Sequence, residues 1–227
     1  SYSKNVDFRY ELTSDQKTVV HEVLNNCIFQ PYLLHGVTGS GKTEVYMELI
    51  EDALKRGKSS IVLVPEISLT PQMVERFQKR FGDNIAALHS ALSDGEKYDE
   101  WRRIFRGEAS IVIGARSAIF APLKNIGMII IEEEHSESYK QSDSNPRYNA
   151  KEVAKYLAKQ NQIPLIFGSA TPDIITYTQA REGDNKITLL TLNQRANKSS
   201  LPNVQVVDLK QELANGNRSM LSVDLYS

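Results

Sequence analysis

The feature that most constrains this chain of 227 residues is a series of short apolar runs separated by longer amphipathic stretches. Each run has the length of a β-strand, and several hold β-branched or other apolar residues at successive positions, as strands buried on both faces do. The runs lie at residues 32–35, 60–64, 85–88, 111–113, 128–131 and 164–167, and further strand-like segments lie at 187–192 and 204–209.

The stretches between these runs carry the start signals of α-helices. Two begin with the pattern of a capping box, and two others place a threonine cap directly before proline. The signals are Thr13 with Gln16, Thr70-Pro71, Ser93 with Glu96, Asn149 with Glu152, and Thr171-Pro172. Because strand and helix signals alternate, the sequence predicts an α/β fold. This is a three-layer, doubly wound domain in which a mostly parallel sheet has helices on both faces.

Composition narrows the possible classes of protein. Apolar residues make up 41% and charged residues 24% of the chain, which excludes disordered and collagen-like classes. The single cysteine, Cys27, excludes a disulfide within the chain and a zinc site built from cysteines, so no zinc is expected. The longest apolar run, residues 128–131, is too short to cross a membrane. The formal net charge of −1 neither indicates nor excludes nucleic acid, because local clusters matter more than the sum.

A phosphate-binding loop follows the first predicted strand and precedes a predicted helix at residues 44–54, which is the context that this motif requires. Its residues match GxxxxGK[ST] at every fixed position: Gly36, Val37, Thr38, Gly39, Ser40, Gly41, Lys42 and Thr43. The glycines let backbone N–H groups turn toward phosphate oxygens, and the helix N-terminus adds a favourable dipole. Lys42 is expected to reach the β- and γ-phosphates of ATP, and Thr43 to give its hydroxyl to Mg²⁺.

Acidic residues follow the apolar run at 128–131, in the order Glu132-Glu133-Glu134-His135. A buried parallel strand delivers them to the carboxyl edge of the sheet, where ligands bind in open α/β folds. We therefore predict that Glu132 holds Mg²⁺, directly or through water, and that Glu133 is the general base for the attacking water. A solvated acidic turn is the alternative, which the phosphate loop upstream disfavours. Gln16 has two open interpretations: it contacts an adenine edge, or it is the partner of Thr13 in the capping box.

The ordered motifs from Gly36 through the acidic segment to residues 168–172, Gly-Ser-Ala-Thr-Pro, resemble the first motor domain of a superfamily 2 helicase. That resemblance implies a RecA-like P-loop NTPase domain. Residues 64–72, 114–122 and 133–141 resemble, more specifically, the bacterial primosomal replication-restart helicases. This family implies an ATP-dependent 3′-to-5′ DNA helicase that acts at stalled forks. Its expected partners are single-stranded and forked DNA, primosome proteins and single-strand-binding proteins, and its expected location is the bacterial cytoplasm, at the nucleoid.

The resemblance also implies roles for individual residues. The residues that it implies for contacts to the sugar-phosphate backbone of single-stranded DNA are Pro65, Ser68, Gln72, Arg116 and Ser117. An aromatic-rich loop at 138–148 places Tyr139 and Tyr148 for base stacking and Lys140 and Arg147 near phosphate. The residues that it implies for coupling nucleotide state to domain movement are His135, Ser169 and Thr171. The alternatives are a surface ion pair for Arg116 and a polar connector for the loop. Thr171 also has the position of a helix cap, and both of its roles can hold.

Two positions depart from the family pattern. Glu132 stands where the family usually has aspartate, and Asn149 stands where a histidine is expected. The carboxylate of Glu132 lies one methylene further out, so hydrolysis is expected to be slower. If hydrolysis has been lost, the chain is instead a nucleotide-gated nucleic-acid-binding module without translocation. A further alternative is another superfamily 2 DNA or RNA translocase.

The predicted domain organisation is a linker at residues 1–11, a motor domain at 12–209 and, at 210–227, the start of a connection to a second motor domain. The last segment shows little core-forming pattern. In such motors the second domain supplies an arginine to the transferred phosphoryl group. The chain is therefore expected to be a piece of a larger protein that binds nucleotide but hydrolyses ATP poorly by itself.

Overall fold

The computed structural model describes residues 11–26, 28–140, 148–181 and 187–193. The chain divides into the units Ser1–Asn197 and Lys198–Ser227, and all described residues belong to the first. Seven strands form one sheet: β1 Pro31–Gly36, β2 Ser59–Leu63, β3 Ile85–Leu88, β4 Ile111–Gly114, β5 Ile126–Glu132, β6 Leu165–Ser169 and β7 Thr188–Leu192. Their order is β3-β4-β2-β5-β6-β1-β7, and every pair is parallel. The predicted fold class is confirmed, and the strand expected at 204–209 lies outside the described residues.

In the described ranges, six α-helices cover the two faces of the sheet: α1 Ser14–Asn25, α2 Lys42–Lys55, α3 Pro71–Phe81, α4 Asp94–Arg106, α5 Ala150–Asn161 and α6 Ile174–Arg181. Helices α1, α2 and α3 contribute buried residues to the core on one face. Helices α4, α5 and α6 contribute to the core on the other face. The described part of the chain therefore has the three layers that the alternation of strands and helices predicts.

Strand β5 shows why its apolar run is continuous. Met128 and Ile130 lie in the core beneath α2, whereas Ile129 and Ile131 lie in the core on the opposite face. All four side chains are fully buried, because successive residues of a strand point to opposite faces and helices cover both. The run ends at Glu132, which lies at the carboxyl edge of the sheet between β2 and β6.

The capping predictions hold for four of the five helices. The reciprocal hydrogen bonds of a capping box are present at α1 and α4, and Thr70 and Asn149 cap α3 and α5. The prediction that Thr171 caps the next helix is wrong, because α6 begins at Ile174 and the backbone N–H of Ile175 donates to Asp173 Oδ1 at 2.9 Å. No helix in the described ranges is both long and apolar enough to cross a membrane.

The cap of α3 gives a first prediction. Thr70 Oγ1 accepts a hydrogen bond from the backbone N–H of Met73 at 3.3 Å. Replacing Thr70 with alanine should lower the free energy of unfolding by about 1 kcal/mol. Thermal melting should show a midpoint about 2–4 °C lower. Thr70→Ser keeps the accepting hydroxyl and should melt like the unaltered chain. An alanine variant that melts no lower than the serine variant would contradict the assignment of the cap.

Candidate nucleotide and nucleic-acid sites

The phosphate loop connects β1 to α2 and curls around the N-terminus of that helix. Gly39 and Gly41 adopt φ of +79° and +84°, a left-handed conformation that side-chain-bearing residues rarely adopt. Ser40 N–H donates to the carbonyl of Val37 at 3.0 Å, which closes the turn. The N-terminus of α2 therefore lies beside the loop, where an anion is favoured.

A cleft of about 650 Å³ lies beside this loop, a size that suits a nucleotide. Lys42 is 8% exposed; its Nζ donates to the carbonyl of Gly36 at 2.9 Å and lies 4.0 Å from Glu132 Oε1. The cleft is lined by Glu11, Gln16, Thr38, Gly39, Gly41, Lys42, Thr43, Glu44, Arg76, Glu132 and Glu133. Among these, Lys42, the N-terminus of α2, the hydroxyl of Thr43 and the carboxylates of Glu132 and Glu133 suit phosphates with a hard divalent cation. These residues fit magnesium-bound ATP, which Lys42 and the loop would hold by its phosphates, with Thr43 and Glu132 at the magnesium.

Gln16 is almost fully buried and uses both ends of its amide within the protein. Its Oε1 accepts from Thr13 N–H at 2.8 Å, and its Nε2 donates to the carbonyl of Gly41 at 3.1 Å. The capping interpretation is therefore confirmed. The side chain also fixes the phosphate loop to α1, a function that the sequence pattern did not indicate. A contact with adenine stays a prediction.

Glu132 is held at the end of β5 by a buried partner. The hydroxyl of Tyr46, on α2, donates a hydrogen bond to Glu132 Oε2. Burial raises the pKa of Glu132, although the hydrogen bond from Tyr46 and the nearby Lys42 act in the opposite direction. A buried carboxylate of this kind favours a cation in the cleft, because a positive charge offsets the penalty that burial places on the ionised form.

Glu133 begins a chain of contacts to the end of β6. Its φ of +50° is unusual for a residue with a side chain. Glu133 Oε2 lies 3.4 Å from His135 Nε2, and His135 Nδ1 lies 2.9 Å from Ser169 Oγ. Ser169 Oγ also accepts from the backbone N–H of Thr171 at 3.0 Å. The three residues predicted for coupling thus lie in one hydrogen-bonded series that reaches the predicted general base.

Glu134 has a role that the sequence analysis did not assign. Its side chain is fully buried and accepts from Lys151 Nζ at 2.9 Å and from the backbone N–H of Asp173 at 2.7 Å. Its backbone N–H donates to the carbonyl of Gly168 at 3.1 Å. Glu134 therefore joins β5, α5 and the start of α6. The three consecutive carboxylates have different partners: Glu132 accepts from Tyr46, Glu133 lies beside His135, and Glu134 pairs with Lys151.

A cluster of ion pairs between α2 and α3 was also missed. Arg80 is 9% exposed and contacts Glu44, Glu48 and Glu51, whereas Arg76 pairs with Glu44 from the cleft side. The sequence signal was available, because Arg76 and Arg80 are four residues apart and share a face of α3. Glu44 directly follows Thr43, so this cluster fixes α3 to the helix that begins at the phosphate loop.

A second cleft, of about 450 Å³, lies near the carboxyl ends of β3 and β4 and carries most of its charge as cations. It is lined by Glu66, Leu88, His89, Ser90, Lys97, Trp101, Ala115, Arg116, Ser117, Ser138 and Lys140. The structure thus brings together Arg116, Ser117 and Lys140, and it adds Lys97 and Trp101 from α4. Pro65 is buried, Ser68 is half-buried and Gln72 is exposed, and none of these three lines the cleft.

The predicted aromatic loop is only partly as expected. Tyr139 is fully buried, and its hydroxyl donates to the backbone carbonyls of Glu132 and Leu63, so the prediction that it stacks on a base is wrong for this conformation. Tyr148 is half-buried, with Arg116 lying 5.6 Å from its ring centroid. Arg116 Nη1 donates to the carbonyl of Lys140 at 2.8 Å. Arg147 lies outside the described residues.

The sequence profile of the DEAD/DEAH box helicases matches residues 13–179. The chain therefore belongs to the DEAD/DEAH box helicases. This helicase chain is 55% identical over 217 residues to the replication restart protein PriA of Bacillus subtilis, a match that covers 94% of the chain and 27% of that relative. It is 50% identical over 214 residues to PriA of Synechocystis, covering 93% of the chain and 26% of the relative. The chain thus spans about a quarter of the length of these curated relatives.

A solved structure of RecG bound to a three-way DNA junction shares this helicase fold. It matches with a TM-score of 0.64 and 25% identity, over 86% of this chain and 25% of that chain. The expected RecA-like helicase fold and the resemblance to replication-restart helicases are both confirmed.

The structure also gives a physical reason for each of the two positions at which this DEAD/DEAH box helicase departs from the family pattern, Glu132 and Asn149. Glu132 reaches Tyr46, and Asn149 caps α5 by accepting the backbone N–H of Lys151 at 3.0 Å.

Proposed function

We propose that this chain is the ATP-binding motor domain of an ATP-dependent 3′-to-5′ DNA helicase that restarts stalled replication forks. The observation that carries the proposal is that one segment, residues 132–140, contributes lining residues to both the nucleotide cleft and the cation-lined cleft. The identity of 55% to a replication restart protein supports the biological role. Primosome proteins and single-strand-binding proteins are proposed as partners on that similarity, with a place in the cytoplasm at the nucleoid.

In the nucleotide cleft, the residues of this chain bind and orient ATP. Lys42 and the phosphate loop hold the β- and γ-phosphates, while Gln16 keeps the loop fixed to α1. Magnesium, when bound, neutralises charge on the phosphates. Glu133 accepts the proton of the attacking water, and His135 keeps its carboxylate in place. The series from His135 through Ser169 to Thr171 carries the change at the general base to the start of α6.

The cation-lined cleft is proposed to bind the backbone of single-stranded DNA. Arg116 and Lys140 offer charge-assisted hydrogen bonds to phosphate, and Ser117 offers a hydroxyl. Lys140 directly follows Tyr139, whose hydroxyl holds the backbone of Glu132. Movement of the bound DNA strand against Lys140 is therefore transmitted through the neighbouring Tyr139 to Glu132, the predicted magnesium ligand. Pro65, Ser68, Gln72 and Tyr148 remain proposed contacts outside this cleft. Arg147, which is not among the described residues, also remains a proposed contact.

By itself the chain is proposed to bind nucleotide and to hydrolyse ATP slowly. In two-domain motors, an arginine from the partner domain is worth about 10³–10⁵ in rate. The relatives are about four times as long as the part that this chain matches, so a second motor domain has room elsewhere in such a protein. Residues 12–209 remain the proposed extent of the motor domain, with a linker before it and a connection to the second domain after it.

The function is tested by ATP hydrolysis and unwinding in the longer protein that contains this chain. Forked DNA should stimulate hydrolysis, and the protein should unwind forked DNA from the 3′ side but leave a matched RNA fork intact. Unwinding of the RNA fork would favour another superfamily 2 translocase. Equal hydrolysis rates with and without forked DNA would favour a nucleotide-gated binding module. Either result would contradict the proposal.

Arg116 gives a prediction for the DNA contact. Binding of the chain to an oligo(dT) strand should be weak, with a dissociation constant of about 10⁻⁴–10⁻⁶ M, and should fall steeply with salt. Arg116→Ala should weaken binding about fivefold and reduce the slope of log K against log salt by about one, because one phosphate contact is lost. Fluorescence anisotropy across a sodium chloride series measures both. Lys159→Ala removes an exposed cation that does not line the cleft and serves as the control. Equal salt slopes for the two variants would remove Arg116 from the DNA contact.

A further inference from the structure

Tyr46 is a fully buried tyrosine whose hydroxyl contacts Glu132, a residue that lines the nucleotide cleft. It follows Lys42 by four residues on α2, so both side chains lie on the same face of that helix. The Tyr46 hydroxyl donates to Glu132 Oε2, while the other carboxylate oxygen, Oε1, lies 4.0 Å from Lys42 Nζ. The two oxygens of Glu132 therefore have different surroundings: one faces a buried phenol and the other faces the phosphate-binding lysine.

Gly168 leaves the space in which this hydrogen bond forms. It is the register partner of Glu132 across β5 and β6. A Cβ added at Gly168 would overlap both the Tyr46 hydroxyl and Glu132 Oε2. Any larger residue at this position would have to displace both groups. The glycine thus permits the close approach of α2 to the end of β5, a role separate from that of the neighbouring Ser169.

The backbone of Glu132 is fixed as well as its side chain. Tyr139 donates to the carbonyl of Glu132, and its ring is fully buried in the opposite core from Tyr46. The peptide of Glu132 is thus held from one side of the sheet and its carboxylate from the other. With both ends of the residue held, its Oε1 has a defined position at the floor of the cleft.

We propose that Tyr46 is a positioning residue for the magnesium-binding carboxylate. By accepting the Tyr46 hydroxyl at Oε2, Glu132 presents Oε1 to the cation that accompanies the nucleotide. This inference rests on the proposed function, in which the cleft binds magnesium-bound nucleotide. It also accounts for glutamate in place of the family's aspartate, because the extra methylene lets the carboxylate reach Tyr46 while it still faces the cleft. Partners that orient a metal ligand typically change metal affinity about 10–100-fold when they are removed.

The test is calorimetric titration of the chain with ADP, once with Mg²⁺ and once with EDTA. The ratio of the two affinities measures how much magnesium strengthens binding, without any need for hydrolysis. Tyr46→Phe removes only the hydroxyl and should reduce this ratio about tenfold. Its affinity for ADP in EDTA should stay within about twofold of the unaltered chain, because the phosphate loop is untouched. Tyr32→Phe, the same change in another fully buried tyrosine, should leave the ratio unchanged.

A double-mutant cycle separates positioning from a general effect on the fold. In a Glu132→Asp variant the shorter carboxylate does not reach the Tyr46 hydroxyl. Adding Tyr46→Phe to that variant should therefore leave unchanged the ratio of its ADP affinities with Mg²⁺ and with EDTA. An equal reduction in both backgrounds would mean that Tyr46 acts through the fold and would overturn the inference. If Tyr46→Phe fails to fold by circular dichroism, Gly168→Ala, which displaces the same pair from β6, should give the tenfold reduction.

The same titrations distinguish a failure of the proposed nucleotide site from a failure of the proposed role of Tyr46. If the unaltered chain binds ADP in neither condition, the proposed nucleotide site fails. If it binds ADP and magnesium strengthens binding equally in the chain and in Tyr46→Phe, the site stands and the positioning role of Tyr46 is overturned.

Discussion

Replacing Lys42 with alanine is expected to weaken binding of magnesium-bound ADP by about 100-fold or more, to below detection in a calorimetric titration. Lys42 is almost fully buried at the base of the phosphate loop, so its ammonium group is screened little by water. Truncating one partner of a buried, hydrogen-bonded charge pair costs about 2–5 kcal/mol, which corresponds to a loss of about 30-fold to several thousand-fold in affinity. Among the described residues that line the cleft, Arg76 is the other cationic side chain, and that group is already paired with Glu44.

Lys55→Ala is the matched control, because Lys55 is an exposed lysine at the far end of the same helix. It should bind magnesium-bound ADP as the unaltered chain does. Retained binding in Lys42→Ala would show that the nucleotide lies elsewhere. No binding by the unaltered chain would contradict the proposed nucleotide site, and Glu132→Asp would then show whether the longer carboxylate is the reason.

Replacing Glu134 with alanine is expected to lower the free energy of unfolding by about 3–5 kcal/mol, since it removes one partner of a buried ion pair. Lys151, which is 18% exposed, would lose its carboxylate. The N–H of Asp173 and the hydroxyl of Thr176 would lose their acceptor as well. Urea denaturation followed by circular dichroism measures the change, and the thermal midpoint should fall by about 10 °C.

Glu137→Ala provides the comparison, because the side chain of Glu137 is 82% exposed and pairs with an exposed lysine. Surface changes of this kind usually alter stability by less than about 0.5 kcal/mol. Similar losses in the two variants would show that Glu134 is an ordinary surface acid. A large loss in Glu134→Ala with normal ADP binding at low temperature would confirm that it stabilises the fold without contacting the nucleotide.

Much of the fold follows from local sequence. The continuous apolar run of β5 predicts a strand buried on both faces, and Thr13 and Ser93 mark helix starts, because each signal involves residues that are close in the chain. The phosphate loop is predicted for the same reason. Its glycines, its lysine and the helix that follows are contiguous, so motif and geometry coincide. The place of Glu132 at the sheet edge follows from the direction of a parallel strand.

The remaining features depend on contacts between residues far apart in the chain. Tyr139 belongs to a polar, aromatic segment that favours exposure, yet the carbonyls of Glu132 and Leu63 give its hydroxyl buried partners. Glu134 looks like its two acidic neighbours until α5 places Lys151 beside it.

The partner of Glu132, Tyr46, lies 86 residues earlier in the chain. Local sequence therefore determined the elements and the phosphate loop. Packing across the sheet decided which of the polar side chains line the clefts, which support them and which are buried, because a buried polar group is stabilised only where a partner meets it.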